Sequence, residues 1–166
     1  MEIKKDLREY LQQAQSKKQL HKRFFKRLAK QNPKIIDEEF HDLHHEVFEE
    51  VNCLDCAHCC KTVGPLLRPS DVKRLAKYLK LTEGEFEKQY LRRDEDGDLV
   101  MRTLPCPFLE ADNRCSVYHI RPRACREYPH TDQVNTKEIL KITEKNIRYC
   151  PAVYLMVERM RMRFQP

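Results

Sequence analysis

Apolar residues recur at three- and four-residue intervals along much of the chain, which is the spacing of one face of an α-helix. The first such stripe predicts a helix from about Lys4 to Lys30. Asn32 and Pro33 interrupt it and can cap a second helix, whose stripe runs directly into Cys53. The stripe positions are Leu7, Tyr10, Leu11, Ala14, Leu20, Phe24 and Leu28 in the first helix, and Ile36, Phe40, Leu43, Val47 and Val51 in the second.

Helical spacing returns further along the chain. Ser70 is a candidate N-cap for a short helix from Asp71 to Leu79. Thr82 and Glu85 have the spacing of a capping box and predict the start of another helix. Two further helices are predicted in the last part of the sequence, over Lys137–Asn146 and Pro151–Phe164.

The middle of the chain lacks this pattern. The stretch "LVMRTL" at residues 99–104 predicts a short strand, with a partner expected near "NRCSVY" at residues 113–118. Residues 105–129 contain four prolines and no helical period, so we expect irregular structure there. The predicted fold class is therefore mainly α, a small helical domain with a central irregular cysteine-rich region and at most a short β-hairpin.

Composition narrows the class of protein. The chain of 166 residues has only three glycines, and neither of the Gly-rich phosphate-binding motifs occurs. The N-terminus is charged throughout, without the apolar run of a signal peptide, and no later segment has the length and apolar character of a membrane span. We therefore expect a soluble, cytoplasmic protein that is not a nucleotide-binding α/β enzyme.

The basic character of the chain comes from its N-terminal segment. Residues 1–30 carry ten Lys or Arg and three acidic residues, whereas the whole chain has a formal charge of +6. Phe24 and Phe25 lie among these basic residues. The segment could contact an acidic partner, nucleic acid or an anionic membrane surface, although a solvated face over a buried apolar stripe is the simpler interpretation.

Eight cysteines dominate the candidate chemistry. In a reducing compartment, such a density indicates metal binding more readily than a disulfide framework. Cys53, Cys56 and Cys59 repeat the C-x-x-C spacing of zinc and iron-sulfur sites, and Cys60 follows at once. Because Cys59 and Cys60 are adjacent, we expect them to point in different directions, which favours more than one site.

A second set of cysteines lies in and after the irregular region. It consists of Cys106, Cys115, Cys125 and Cys150. None of the spacers between them is a metal motif alone, but the first three anchor a segment with too little apolar content to order itself. A bound metal would supply the missing constraint.

These residues carry a resemblance. The stretches "CLDCAHCC" and "PCPFLEADNRCSVYHIRPRACREYP" resemble the YkgJ-type cysteine cluster family of zinc- or iron-chelating domains. The resemblance covers about residues 53–130, with Cys150 as the eighth member. It implies that all eight cysteines are metal ligands. A related group, the flagellin lysine methylases, is associated with an iron-sulfur cluster and a methyl donor.

Other residues could support or extend such a centre. Three arginines around Cys125 could offset the negative charge of a thiolate site. They are Arg121, Arg123 and Arg126. His58, His119 and His130 lie near cysteines in the sequence and could replace one as a ligand. His41 and His45 have the spacing of a metal pair, but no H-E-x-x-H pattern accompanies them, so we expect surface histidines.

The sequence thus predicts a basic helical extension over residues 1–50, a cysteine-cluster metal-binding domain over 51–150 and a packed C-terminal helix over 151–166. The predicted function is binding of zinc or iron, with an iron-sulfur cluster as one form of the centre, in a structural or redox role. Two alternatives remain open at this point: an iron-sulfur enzyme related to the flagellin lysine methylases, and a nucleic-acid-binding module with structural zinc. Enzymatic activity is undecided by the sequence alone.

Overall fold

The computed structural model describes residues 3–164, and its side chains from residue 9 to residue 164. Residues 1–2 and 165–166, at the ends of the predicted segments 1–50 and 151–166, lie outside the described residues, as does the side chain of Leu7. The chain divides into two compact units. The first comprises residues 1–56 and 129–166, and the second comprises residues 57–128. The division predicted at residues 50 and 150 stays a prediction.

Helices supply most of the regular structure, which confirms the mainly α class. They are α1 (Ile3–Ser16), α2 (Lys18–Leu28), α3 (Pro33–Glu50), α4 (Cys53–Cys56), α5 (His58–Thr62), α6 (Pro69–Leu79), α7 (Glu83–Tyr90), α8 (Arg123–Glu127), α9 (Leu140–Asn146) and α10 (Pro151–Arg163). Short 3-10 turns occupy Tyr118–Ile120 and Thr136–Ile139. Three strands complete the regular structure, β1 (Leu66–Leu67), β2 (Leu91–Arg93) and β3 (Leu99–Met101).

The first unit is a helical bundle in which α10 packs against α3. The apolar stripe of α3 is fully enclosed and meets the apolar residues of α10. The buried residues of these two helices are Ile36, Phe40, Leu43, Val47, Ala152, Val153, Tyr154, Met156, Val157 and Met160. Ion pairs also join α10 to α3, because the Arg159 guanidinium pairs with Glu46 at 2.6 Å and with Glu50 at 2.8 Å.

The predicted N-terminal helix is interrupted at Lys17, so that α1 and α2 replace one continuous helix. Phe24 and Leu28 are buried as the stripe requires, whereas Leu20 is exposed. Glu158 on α10 accounts for the position of the break: Lys17 donates to Glu158 at 2.6 Å, and the buried ring of His21 lies 2.9 Å from the same carboxylate. The interruption thus brings the Lys17 ammonium group and the His21 ring to the same carboxylate, that of Glu158.

The second unit has its own core. Phe86 of α7 is fully buried, and its ring lies parallel to that of Phe108, with centroids 6.4 Å apart. The sheet has the order β1-β3-β2, with antiparallel pairing throughout. The predicted strand at Leu99–Met101 is confirmed, but its predicted partner near residues 113–118 is wrong. Both true partners lie elsewhere, because strand pairing depends on contacts that a local pattern does not encode.

Of the two helix starts predicted in the second unit, one is confirmed and the other is wrong. The capping box of Thr82 and Glu85 forms as predicted. Ser70 is not an N-cap, since α6 begins at Pro69 and the Asp71 carboxylate accepts from the backbone N–H of Arg68 at 3.0 Å. Proline at the first helical position needs no N–H partner, which favours this earlier start.

Candidate metal centre

None of the eight cysteines is joined in a disulfide. Short helices α4 and α5 carry the first four. The left-handed backbone of Ala57, with φ of 47°, separates these two helices. Cys53, Cys56 and Cys150 belong to the first unit, and the remaining cysteines belong to the second.

Four thiols of the second unit lie near one another. They are Cys60, Cys106, Cys115 and Cys125, which we call the four-thiol group. Burial, together with the neighbouring thiols of the other three members, raises the pKa of Cys125 to about 12. Electrostatic influence of this kind requires proximity. The structure thus brings together one cysteine from the C-x-x-C region and three from the irregular region.

Backbone hydrogen bonds fix two of these thiols relative to each other. The N–H of Cys106 donates to the carbonyl oxygen of Cys60 at 2.8 Å, which joins α5 directly to the segment after β3. Leu109 then turns the chain back, donating to the Cys106 carbonyl at 3.0 Å and forming an isolated antiparallel bridge with Cys115. A tight reversal therefore carries Cys106 and Cys115 to the same place.

Cys125 reaches the four-thiol group on α8. The start of α8 is held by α6, since the Arg123 N–H donates to Asp71 Oδ1 at 3.1 Å. Arg74 secures the preceding turn by donating to the carbonyl oxygens of Ile120 at 3.1 Å and Arg121 at 3.0 Å. Asp71 was not among the residues predicted for the site; the only local signal was its place in the first turn of a helix.

Backbone N–H groups point at several of the sulfurs. The amide of Phe108 hydrogen-bonds to the Cys106 thiol, and the amide of Val117 does the same for Cys115. Burial nevertheless raises the pKa of Cys106 to about 11, and burial also raises that of Cys115. Amides two residues beyond a cysteine stabilise sulfur once it carries negative charge, so this backbone suits a bound thiolate better than a neutral thiol.

Cys59 and Cys60 were predicted to point in different directions, but their sulfurs lie 4.0 Å apart, within the range of a sulfur hydrogen bond. A hydrogen bond with Cys59 and the charge of Lys61 together lower the pKa of Cys60 to about 7, although burial acts in the opposite direction. Cys60 is therefore the thiol of the four-thiol group that ionises most easily.

Three thiols of the first unit also form a group. Cys150 lies at the N-terminus of α10, where the backbone N–H groups of Ala152 and Val153 point at its sulfur. Burial, with smaller contributions from the nearby thiols of Cys53 and Cys56, raises the pKa of Cys150 to about 12. We call these three the three-thiol group.

The arginines near Cys125 have different roles. The Arg121 guanidinium stacks on the ring of Tyr118 at 3.8 Å, and its charge lowers the pKa values of Cys115 and Cys125 in opposition to the larger effect of burial. The side chain of Arg123 instead pairs with Glu127. Arg121 therefore acts as a cation on Cys115 and Cys125, in addition to Lys61 at Cys60.

The two phenylalanines of the basic N-terminal segment are not placed for the nucleic-acid contact that the sequence suggested. Phe24 and Phe25 are both buried in the first unit, so neither ring is available to stack on a nucleic-acid base.

None of the helices in residues 3–164 combines the length and the apolar character needed to span a bilayer.

Comparisons with known proteins place the cysteine-rich region in a family. A protein of Methanocaldococcus jannaschii, named "Uncharacterized protein MJ0661", is 33% identical over 108 residues, which are 63% of this chain and 58% of that protein. The chain thus spans little more than half the length of this relative. No solved structure matches the present chain. Residues 52–151 match the CxxCxxCC family, described as a "Putative zinc- or iron-chelating domain". Since this match covers more than half of the sequence, the chain belongs to the CxxCxxCC family.

Proposed function

We propose that the chain is a metal-binding protein in which the thiolates of its eight cysteines hold zinc or iron. The observation that carries this proposal is the convergence of the four thiols at residues 60, 106, 115 and 125. Four sulfur donors are the ligand set of both structural zinc sites and iron-sulfur clusters. Cys53, Cys56, Cys59 and Cys150 complete the proposed ligands, with the three-thiol group as the basis of a further centre.

The sulfurs are spaced more widely than a single zinc ion requires, which is compatible with an iron-sulfur cluster. Bonds of about 2.3 Å to one tetrahedral zinc ion would place sulfurs about 3.8 Å apart. In the described part of the chain, no three thiol sulfurs lie within 4.8 Å of one another. A cluster accepts a wider spacing because each cysteine binds a different iron. Zinc remains the alternative, since small rotations of the side chains would draw the sulfurs together.

A metal at the four-thiol group would have a structural role in the second unit. It would join α5, the turn that carries Cys106 and Cys115, and α8. Residues 105–122 contain no α-helix or strand, and their side chains include few that are buried. Metal ligation therefore supplies the constraint that hydrophobic burial does not. A redox role would be added if the metal were iron.

We further propose that the protein functions in the cytoplasm. Eight free thiols are compatible with a reducing compartment, where thiolate centres persist.

The experiment is metal and acid-labile sulfide analysis of protein purified without oxygen, together with its ultraviolet-visible spectrum. Iron with sulfide and absorption near roughly 400 nm would support the iron-sulfur form. Colourless protein with stoichiometric zinc would replace it with structural zinc. Cys125→Ser should lose the metal of the four-thiol group, whereas Thr62→Ser, an exposed change on α5, should retain it. Full metal content in Cys125→Ser would contradict the ligand assignment.

A further inference from the structure

Three side chains of the first unit meet on its surface, and none of them is among the residues assigned above to the thiol centre. His41 and His45 lie one turn apart on α3, with ring centroids separated by 4.5 Å. Asp132 approaches both: its Oδ1 is 2.7 Å from Nδ1 of His41, and its Oδ2 is 3.8 Å from Nε2 of His45. One donor atom from each residue lies within 4.8 Å of the other two.

We propose that His41, His45 and Asp132 form a separate surface site for a divalent late transition-metal ion, of which Zn²⁺ is the representative case. Two imidazoles and one carboxylate are donors that suit Zn²⁺, Fe²⁺, Ni²⁺ and Cu²⁺. Mg²⁺ and Ca²⁺ prefer a shell of oxygen atoms and are not expected to bind here. Three protein ligands leave at least one position of the metal open to water or to a second molecule.

The carboxylate is held in place by its neighbours in the sequence. On one side, the Thr131 hydroxyl is buried and lies 2.9 Å from Nδ1 of His44 on α3. On the other side, the Asp37 carboxylate accepts from the backbone N–H groups of Asn135 at 2.9 Å and Thr136 at 2.8 Å. Because α3 binds this segment both before and after Asp132, the third donor is fixed beside the histidine pair before any metal arrives. Such preorganisation reduces the entropic cost of binding.

The exposure of the three side chains permits metal entry. The side chains of His41, His45 and Asp132 are 59%, 58% and 40% exposed. A metal ion can therefore reach them without unfolding of the first unit. Both histidine rings can rotate to bring a ring nitrogen within about 2.0–2.2 Å of a zinc ion, the length of a zinc–ligand bond. Binding would replace the hydrogen bond between His41 and Asp132 with two metal–ligand bonds.

The competing explanation is a surface ion pair between Asp132 and His41, which needs neither His45 nor a metal. The two explanations differ in what the second histidine does. A metal site needs both imidazoles and the carboxylate at once, whereas an ion pair is complete with two residues.

The test is a Zn²⁺ titration of the full-length protein with its cysteine-bound metal left in place, followed by calorimetry and by the ring nitrogen resonances of its histidines. We expect one additional equivalent to bind, with concerted shifts of the His41 and His45 rings. Asp132→Asn should weaken this binding by roughly tenfold or more, because changes even beyond the direct ligands cost 10–100-fold. The double variant His41→Ala/His45→Ala should abolish it.

Asp42→Asn is the matched control, because this exposed carboxylate lies on α3 next to His41 in the sequence and should leave the additional equivalent intact. All substitutions are at exposed positions, and the thermal midpoint of each variant verifies its folding. The proposal is overturned if no additional equivalent binds, if Asp132→Asn binds as tightly as the parent protein, or if the double variant retains the extra equivalent. The metal content of the cysteines is measured in the same samples, so failure of this site is distinguishable from failure of the thiol centre.

Discussion

Asp71 connects the start of α6 to the start of α8, since its Oδ1 accepts from the backbone N–H of Arg123 at 3.1 Å while its Oδ2 accepts from that of Arg68 at 3.0 Å. The Arg74 guanidinium adds a third donor at 2.6 Å. The Asp71 side chain is only 1% exposed, so this carboxylate is satisfied entirely by protein donors. It fixes the backbone two residues before Cys125 and thereby positions one thiol of the four-thiol group.

The first prediction concerns this carboxylate. Asp71→Asn leaves one acceptor oxygen and turns an NH₂ group toward backbone donors. We expect a loss of about 2–3 kcal/mol in the free energy of unfolding of the second unit, because hydrogen bonds to a charged group contribute about 1.5–3 kcal/mol. Hydrogen exchange should increase at residues 121–128. Asp98→Asn, at an exposed turn of the same unit, is the control and should change neither quantity.

The second prediction concerns pH and the first unit. Burial raises the pKa of Glu158, but hydrogen bonds from Lys17 and His21 and the charge of Arg161 lower it by more, so the folded-state pKa lies below its ordinary value. Its stabilising contribution is therefore complete above the unfolded pKa of about 4.3 and is lost as the pH falls through the folded pKa.

Glu158→Gln should accordingly lower the free energy of unfolding by roughly 1–3 kcal/mol near neutral pH. The difference from the parent protein should shrink as the pH falls below about 4. Urea unfolding at a series of pH values provides the measurement, and Glu49→Gln on the exposed face of α3 provides the comparison. A difference that is the same at every pH would show that Glu158 contributes through packing and not through its charge.

The third prediction concerns the core beneath the four-thiol group. Cys106 and Cys115 pack against the cluster of buried residues that contains Phe86. Phe86→Ala should cost roughly 3–5 kcal/mol of stability and leave a cavity beside Phe108. Phe86→Leu fills much of that space and should cost distinctly less. Denaturant unfolding would measure both, and equal losses would argue against a packing origin.

The fourth prediction concerns the three-thiol group. Cys53→Ser and Cys56→Ser should each lower the metal content per chain and increase the protease sensitivity of the cysteine-rich region. Hydroxyl groups remain neutral at physiological pH and are poor substitutes for thiolate ligands. Metal analysis and limited proteolysis would follow the two variants alongside the parent protein. Undiminished metal in both would remove these cysteines from the proposed ligands.

Local patterns predicted the helices well and their ends less well. The stripe from Ile36 to Val47 is fully buried, because burial of one helix face imposes a period that any such sequence must show. The break at Lys17 has no local signal, since it depends on Glu158, which lies 141 residues away in the sequence. N-cap preferences favour Ser70 because they describe side-chain acceptors at the cap, whereas this helix is capped from within its first turn.

The composition of the candidate site was more predictable than its arrangement. The cysteines and their adjacency at Cys59 and Cys60 were visible in the sequence, but the grouping of Cys60 with Cys125 depends on the fold. Asp132 was missed altogether. It lies 91 residues from His41, and only the folded chain places it beside a histidine pair whose spacing alone was insufficient evidence.

The second unit is continuous in sequence, whereas the first is assembled from residues 1–56 and 129–166. During synthesis, all four members of the four-thiol group leave the ribosome before α10 does. Domains whose sequence is complete can fold as the chain is made. The second unit can therefore acquire its metal while Phe40 and the rest of the α3 stripe still await the helix that covers them. The earliest folded part of the nascent chain would then be its metal-binding middle, and the chain's first fifty residues would be among the last to settle.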